Sequence, residues 1–171
     1  MSDKFVSIGA GIITVSDTRT RDDDRSGDLA AHHLSNHGHK VLRRRIVRDD
    51  SSAIQEELKH HLSMKEIFAV ILTGGTGITQ RDVTPDAVRP FGTKHLPGFG
   101  ELFRMLSYTE IGSSTIQSRA DAWLCDETLV FVLPGSTGAV QLAFEKILNE
   151  QLDVRTKPCN FVRLRDRILS E

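Results

Sequence analysis

The chain has 171 residues and a mass of 19.0 kDa, the size of one domain; a fold of this length buries roughly 70% of the surface its unfolded chain exposes and needs no staples. Its 22 basic and 23 acidic side chains leave a net charge of −1, with a mean hydropathy of −0.24, which argues against nucleic acid or a membrane surface as the main partner. Cys125 and Cys159 stand far apart with no CxxC spacing, and the start MSDKFVSIGAGIITVSD lacks a spanning length or a cleavage site, so a reducing, cytoplasmic setting is expected.

Ile12 to Val15 reads as a first strand with Ser16 and Asp17 at its carboxyl end, followed by the polar loop TRTRDDDR. Asp22, Asp23 and Asp24 could bind a divalent cation, but with Arg21 and Arg25 alongside they read as a solvated charge run. Ser26 is the expected N-cap of a helix over 27–37, where Leu29, Ala30, His33 and Leu34 recur at helical spacing before Gly38. His33 and His37 lie one turn apart without a third metal ligand nearby and are taken as a surface face. KVLRRRIV, Lys40 to Val47, forms a second strand near an edge because its centre is basic. Arg48-Asp49-Asp50-Ser51 then starts a helix with Ile54, Leu58 and Leu62 on one face. Asp49 is therefore either an N-cap or an acidic group at a strand end.

The organising stretch is VILTGGTGITQRDVTP, Val70 to Pro85. A continuous aliphatic run suits a strand covered on both faces. Gly74, Gly75 and Gly77 beyond it let backbone amides approach an anion, and a bulky side chain at Gly75 is expected to fill the anion's space without disturbing the fold. The loop matches neither GxGxxG nor the P-loop, since no lysine follows the glycines. Asp82 lies just before Thr84-Pro85-Asp86, a helix start with proline in the first turn. Leu96 to Gly100 is a second turn, and 101–106 a short helix whose Phe99, Phe103 and Leu106 form an apolar face. After the small, polar Ser113 to Arg119, the run Thr128 to Leu133 makes another buried strand, ending in Pro134-Gly135-Ser136 and a helix over 140–148. The amino end of that helix favours an anion, and Ser136 has two readings, a hydroxyl facing the ligand or only a cap. The basic tail RTKPCNFVRLRDRILSE is expected along the surface or a partner subunit. No repeat or second domain is visible, so residues 1–171 form one domain.

TGGTGITQRDVTPDA, PGFGE, Ser118-Arg119 and Pro134-Gly135-Ser136, in this order, resemble the MoaB/Mog family of molybdenum cofactor biosynthesis proteins over nearly the whole chain. The tail TKPCNF places the resemblance in the protein B branch. It implies an α/β fold, a three-layer α/β/α sandwich around a mostly parallel sheet, and a homotrimer or homohexamer, with other proteins of the pathway as further partners. It also implies binding of molybdopterin, a pterin with a dithiolene and a terminal phosphate, and, in catalytic members, adenylylation of that phosphate with Mg-ATP and release of pyrophosphate. Carried over by position, Gly74, Gly75, Thr76 and Gly77 would hold phosphates. Asp49 and Asp82 would act in catalysis by holding magnesium and nucleotide; Ser118, Pro134, Gly135 and Ser136 would line the pterin side, with Ser16 and Asp17 closing the crevice. Many relatives have Pro-Lys after PGS where this chain has Thr137-Gly138, which removes a positive charge there. A non-catalytic molybdopterin carrier would use the same residues.

Overall fold

The computed structural model describes residues 4–168; the first and last three residues, which belong to the apolar start and the basic tail, lie outside the described residues. A six-stranded sheet runs in the order β2-β1-β3-β6-β5-β4. Its strands are β1 (Gly9–Val15), β2 (Lys40–Val47), β3 (Ile67–Thr73), β4 (Lys94–His95), β5 (Asp121–Cys125) and β6 (Thr128–Leu133). β2, β1, β3 and β6 pair in parallel, whereas β5 and β4 join antiparallel. The parallel central strands β3 and β6 are buried at every residue, as their unbroken aliphatic runs require. The basic β2 is the edge strand its sequence suggests.

Two apolar layers, one on each face, make this a three-layer α/β/α sandwich. On one face Ile12, Ile71 and Phe131 pack with Ala30 and Leu34 of α1 (Arg25–Asn36), Phe99 and Phe103 of α4 (Pro97–Ile111), and Val140 of α5 (Thr137–Ala143). On the other, Ile13, Val70 and Val132 meet Ile54 and Leu58 of α2 (Ser51–Leu62) and Ala87 and Val88 of α3 (Thr84–Val88). Alternating residues of each strand thus face opposite layers.

Several local expectations are corrected. Helix α1 is capped by Asp24, which accepts the Gly27 N–H, instead of by Ser26. Asp24 is not solvated: it is fully buried, bonded to Thr14 and paired with Arg44 at 2.6 Å. Asp50, not Asp49, caps α2 by accepting the Ala53 N–H. Leu96 to Gly100 is no free turn, because α4 begins at Pro97 and runs fifteen residues; Pro needs no N–H partner in a first turn. The helix after β6 begins three residues earlier than its apolar spacing suggests, with Ser136 as cap, and its second half, Phe144–Leu148, widens into a π-helix. α6 (Asn149–Gln151) follows. The tail is not merely superficial: Val162 of α7 (Phe161–Ile168) is buried against the core and Phe161 packs 5.9 Å from Phe131. No helix among the described residues is long and apolar enough to cross a membrane.

Candidate functional site

The carboxyl ends of β1, β2, β3 and β6 converge on the glycine loop. Ser16, just past β1, donates its N–H to the Val47 carbonyl at the end of β2 (2.8 Å), and its Oγ accepts the Thr18 and Arg19 N–H groups. Gly74 donates to the Leu133 carbonyl of β6 at 2.9 Å, so the loops after β3 and β6 lie side by side. A Cβ on Gly135 would come within 3.2 Å of the Gly74 Cα. Arg19 ties the crevice together, donating to Ser26 Oγ (2.8 Å) and to the Gly135 carbonyl (3.2 Å). Ser136 uses its Oγ to cap α5 at the Ala139 N–H.

The glycine loop is held from beneath by Arg119. Its backbone N–H reaches the Thr76 carbonyl at 2.9 Å, its Nε donates to the Gly77 carbonyl at 2.7 Å, and its remaining nitrogens reach the Asp82 carbonyl and Asp86 Oδ2. Ser118 stands next to this clamp, with Oγ accepting the Ala120 N–H. Pro134 precedes Gly135 at the end of β6 and is half-buried. The twelve residues picked from the sequence therefore lie on neighbouring loops at one end of the sheet.

Three aspartates meet there. Asp17 Oδ1 accepts the Asp49 N–H at 3.2 Å, while Arg81 sits 3.2 Å from Asp17 Oδ2. Burial first, then the negative charges of Asp17 and Asp82, push the Asp49 carboxyl above its ordinary value against the pull of Arg81. Asp82 is different. Burial raises its carboxyl, but hydrogen bonds from the side chain and N–H of Thr79, with help from Gly77 and Arg119, outweigh it and hold the group below the ordinary range. Asp49 Oδ1 and Thr84 Oγ1 are both buried and have no hydrogen-bond partner among the described residues.

The glycines here accommodate protein as well as any ligand. Gly75 has φ +63°, and a Cβ on it would lie 2.3 Å from Thr84 Oγ1 and 2.8 Å from Asp49 Oδ1. The expectation that a bulky side chain at Gly75 would simply occupy ligand space is therefore corrected, because it would strike Asp49 and Thr84 first. Gly74, at φ +105°, lets β3 pass the Val15 carbonyl, which a Cβ would approach to 2.2 Å.

Phe99 and Phe103 are buried in the core and pack, as their spacing suggests. His33 stacks on Phe144 with centroids 5.0 Å apart, and His37 bonds the His33 carbonyl. A cavity of about 480 Å³ lies at the β4 edge, lined by Leu96, Leu124 and Phe161; it contains none of the crevice residues.

Residues 11–154 match the family model described as "Probable molybdopterin binding domain". The chain belongs to the MoaB/Mog family of molybdenum cofactor biosynthesis proteins. It is 42% identical over 161 residues to molybdenum cofactor biosynthesis protein B of Escherichia coli, covering 94% of this chain and 95% of that one. Protein B of Staphylococcus epidermidis is 52% identical over 149 residues, covering 85% of each. A crystal structure of a molybdenum cofactor biosynthesis protein B superposes with TM-score 0.87 at 39% identity, covering 97% and 98% of the two chains.

Within this MoaB/Mog chain, sequence reasoning missed Arg19, Thr84 and the span of Arg119. Arg119 belonged to a recognised motif, yet only topology shows it crossing to Gly77 and Asp82. Magnesium takes one or two carboxylates and fills its octahedron with water and phosphate oxygens. Among the described residues no group of three or more His, Cys, Asp or Glu forms a protein-only metal cage. Asp49 and Asp82, two carboxylates near enough for each charge to influence the other, would suit only the first kind of site.

Proposed function

We propose that this protein binds molybdopterin in the crevice and adenylylates its terminal phosphate with Mg-ATP. The observation that carries the reading is Asp49: a carboxylate kept beside Asp17 and Asp82 at the glycine loop, its ionised form disfavoured by burial and by their charges. Such an arrangement costs stability unless a ligand uses it.

Nucleotidyl transfer asks for positioning and charge neutralisation more than covalent chemistry from the protein. Asp49 and Asp82 would hold magnesium, which would supply positive charge to the phosphates during transfer. Thr76, Gly77 and the neighbouring amides would orient phosphate oxygens, with Arg119 fixing the loop from behind. Ser118 and Pro134-Gly135-Ser136 would border the pterin, and Ser16 and Asp17 would close the other side. Pyrophosphate release from ATP with and without molybdopterin tests this reading; no molybdopterin-dependent release from protein that binds both would sink it.

A carrier that binds molybdopterin without turnover is the second reading. It is favoured by one observation: the exposed Thr137-Gly138 after Ser136 supply no cation of their own, and the Arg19 guanidinium at that end is already engaged by Ser26 and the Gly135 carbonyl. For assembly we propose a homotrimer or homohexamer, because α4 and the turn after it leave Met105, Tyr108, Ile111 and Ile116 more than half exposed. Light scattering that returns a 19.0 kDa monomer would refute it. The pathway's other proteins are proposed as docking partners in the same cytoplasmic setting.

A further inference from the structure

We infer that Thr84 is a positioning residue of this site, its hydroxyl fixing the Asp49 carboxylate toward the cation that accompanies a nucleotide; the inference rests on the nucleotide reading above. Thr84 opens α3 and is fully buried. Its N–H donates to the Gly75 carbonyl at 3.0 Å, which fastens it to the glycine loop. A hydroxyl at a helix start commonly caps the first turn. This one does not, since α3 has no side-chain cap.

Buried hydroxyls in folded proteins are nearly always paired, so one without a partner calls for a reason. Thr84 Oγ1 faces the same side of Gly75 as Asp49 Oδ1, which also lacks a partner. The two groups are chemically complementary: a hydroxyl has a proton to give, and an ionised carboxylate only accepts. Between them lies the space beside the Gly75 Cα, where a Cβ would be 2.3 Å from Thr84 Oγ1 and 2.8 Å from Asp49 Oδ1, so a small shift of either side chain into it brings them within hydrogen-bonding reach. Once Thr84 donates to Oδ1, the other Asp49 oxygen is held in one direction. Fixed orientation of a ligating carboxylate by a hydrogen bond from behind is what an octahedral ion demands. If Thr84 merely fills space under α3, valine of nearly the same shape will serve as well.

The probe is Mn²⁺ in place of Mg²⁺, with ATP, and free Mn²⁺ read by electron paramagnetic resonance in wild type, Thr84→Val and Thr84→Ser. Thr84→Val is expected to weaken Mn²⁺-ATP binding by at least about tenfold, and Thr84→Ser, which keeps the hydroxyl, by less than about threefold. The thermal midpoint of Thr84→Val is expected to be unchanged or higher, because the unpartnered hydroxyl is gone. Folded Thr84→Val that binds Mn²⁺-ATP like wild type overturns the inference while leaving the nucleotide reading intact. Wild type that fails to bind Mn²⁺-ATP overturns the nucleotide reading, and the inference with it. Should Thr84→Val not fold, Thr84→Cys, close in volume with a much weaker donor, carries the same comparison.

Discussion

Arg119 donates from Nε to the carbonyl of Gly77 at 2.7 Å. With the same side chain on the Asp82 carbonyl and the Asp86 carboxylate, it bridges the loop after β3 to the segment before β5. The glycine loop is thus set by a residue 42 positions away in sequence.

Arg119→Ala should therefore loosen the loop while sparing the sheet. Hydrogen bonds to a charged group contribute about 1.5–3 kcal/mol each and do not add fully, so a loss of about 2–4 kcal/mol is expected in urea denaturation. Amide exchange should speed up at Gly77 and Thr79 but not in β3. Uniform acceleration through β3 would mean that the arginine holds the fold as a whole.

Gly75→Ala separates two roles of one glycine. Alanine at φ +63° is strained by roughly 1–2 kcal/mol, and its Cβ must displace Thr84 Oγ1 and Asp49 Oδ1. Stability and nucleotide binding should therefore fall together. Alanine that lowers binding with an unchanged unfolding midpoint would restore the simpler picture of a loop touched only by ligand.

The sheet was legible because its chemistry is local. Val70-Ile71-Leu72 and Thr128 to Leu133 can only be covered strands, and the arginines of Lys40 to Val47 belong at an edge. The crevice loops were legible because glycines and hydroxyl residues follow those strands. What stayed hidden depends on burial and distance. Asp24 looks like one of three solvated acids until Arg44 and Thr14 close on it. Asp49 and Asp50 are indistinguishable in sequence, yet Asp50 caps α2 and Asp49 turns toward Gly75. The short β4 and β5 lacked a long aliphatic run, and Pro97-Gly98 disguised the start of α4.

His61 gives the stability a pH dependence. Its ring is fully buried against Gly11, Nδ1 lies 3.0 Å from the Glu57 carbonyl, and Nε2 has no partner among the described residues. Burial is the largest influence and holds the imidazole below its ordinary value of 6.5, outweighing the opposing pull of Glu57. The unfolded chain thus takes up a proton near 6.5 before the folded chain does. The contribution is fully present above that pH and drains away as pH falls below it. Burial holds His33 and His39 below their ordinary values too, so His61→Leu should flatten only part of the slope. Denaturation midpoints at pH 7.5 and 5 check this; a variant slope equal to wild type would remove His61 from the account.

Asp49→Asn distinguishes enzyme from carrier better than a change at Asp82. Asp82 already accepts from the Thr79 N–H and hydroxyl, so altering it disturbs the loop as well as the charge. Asp49 Oδ1 has no such duty. Burial and the charges of Asp17 and Asp82 strain its ionised form, so a neutral amide of the same shape should raise the thermal midpoint of the free protein. In the enzyme reading that strain is what engages magnesium and the nucleotide phosphates. Removing one such charge from a transition state costs on the order of 3–4 kcal/mol, or roughly a hundred- to thousand-fold in rate. The expected signature is opposed: higher stability, molybdopterin affinity nearly unchanged, and adenylyl transfer almost lost. In the carrier reading stability still rises, but wild type makes no adenylylated product and nothing is left to lose. Calorimetry with molybdopterin and nucleotide analysis after incubation with Mg-ATP, wild type beside variant, read both outcomes. Asp49→Asn that transfers adenylyl groups at the wild-type rate would show that the carboxylate takes no part in the chemistry and would leave the crevice without the residue on which the enzyme reading rests.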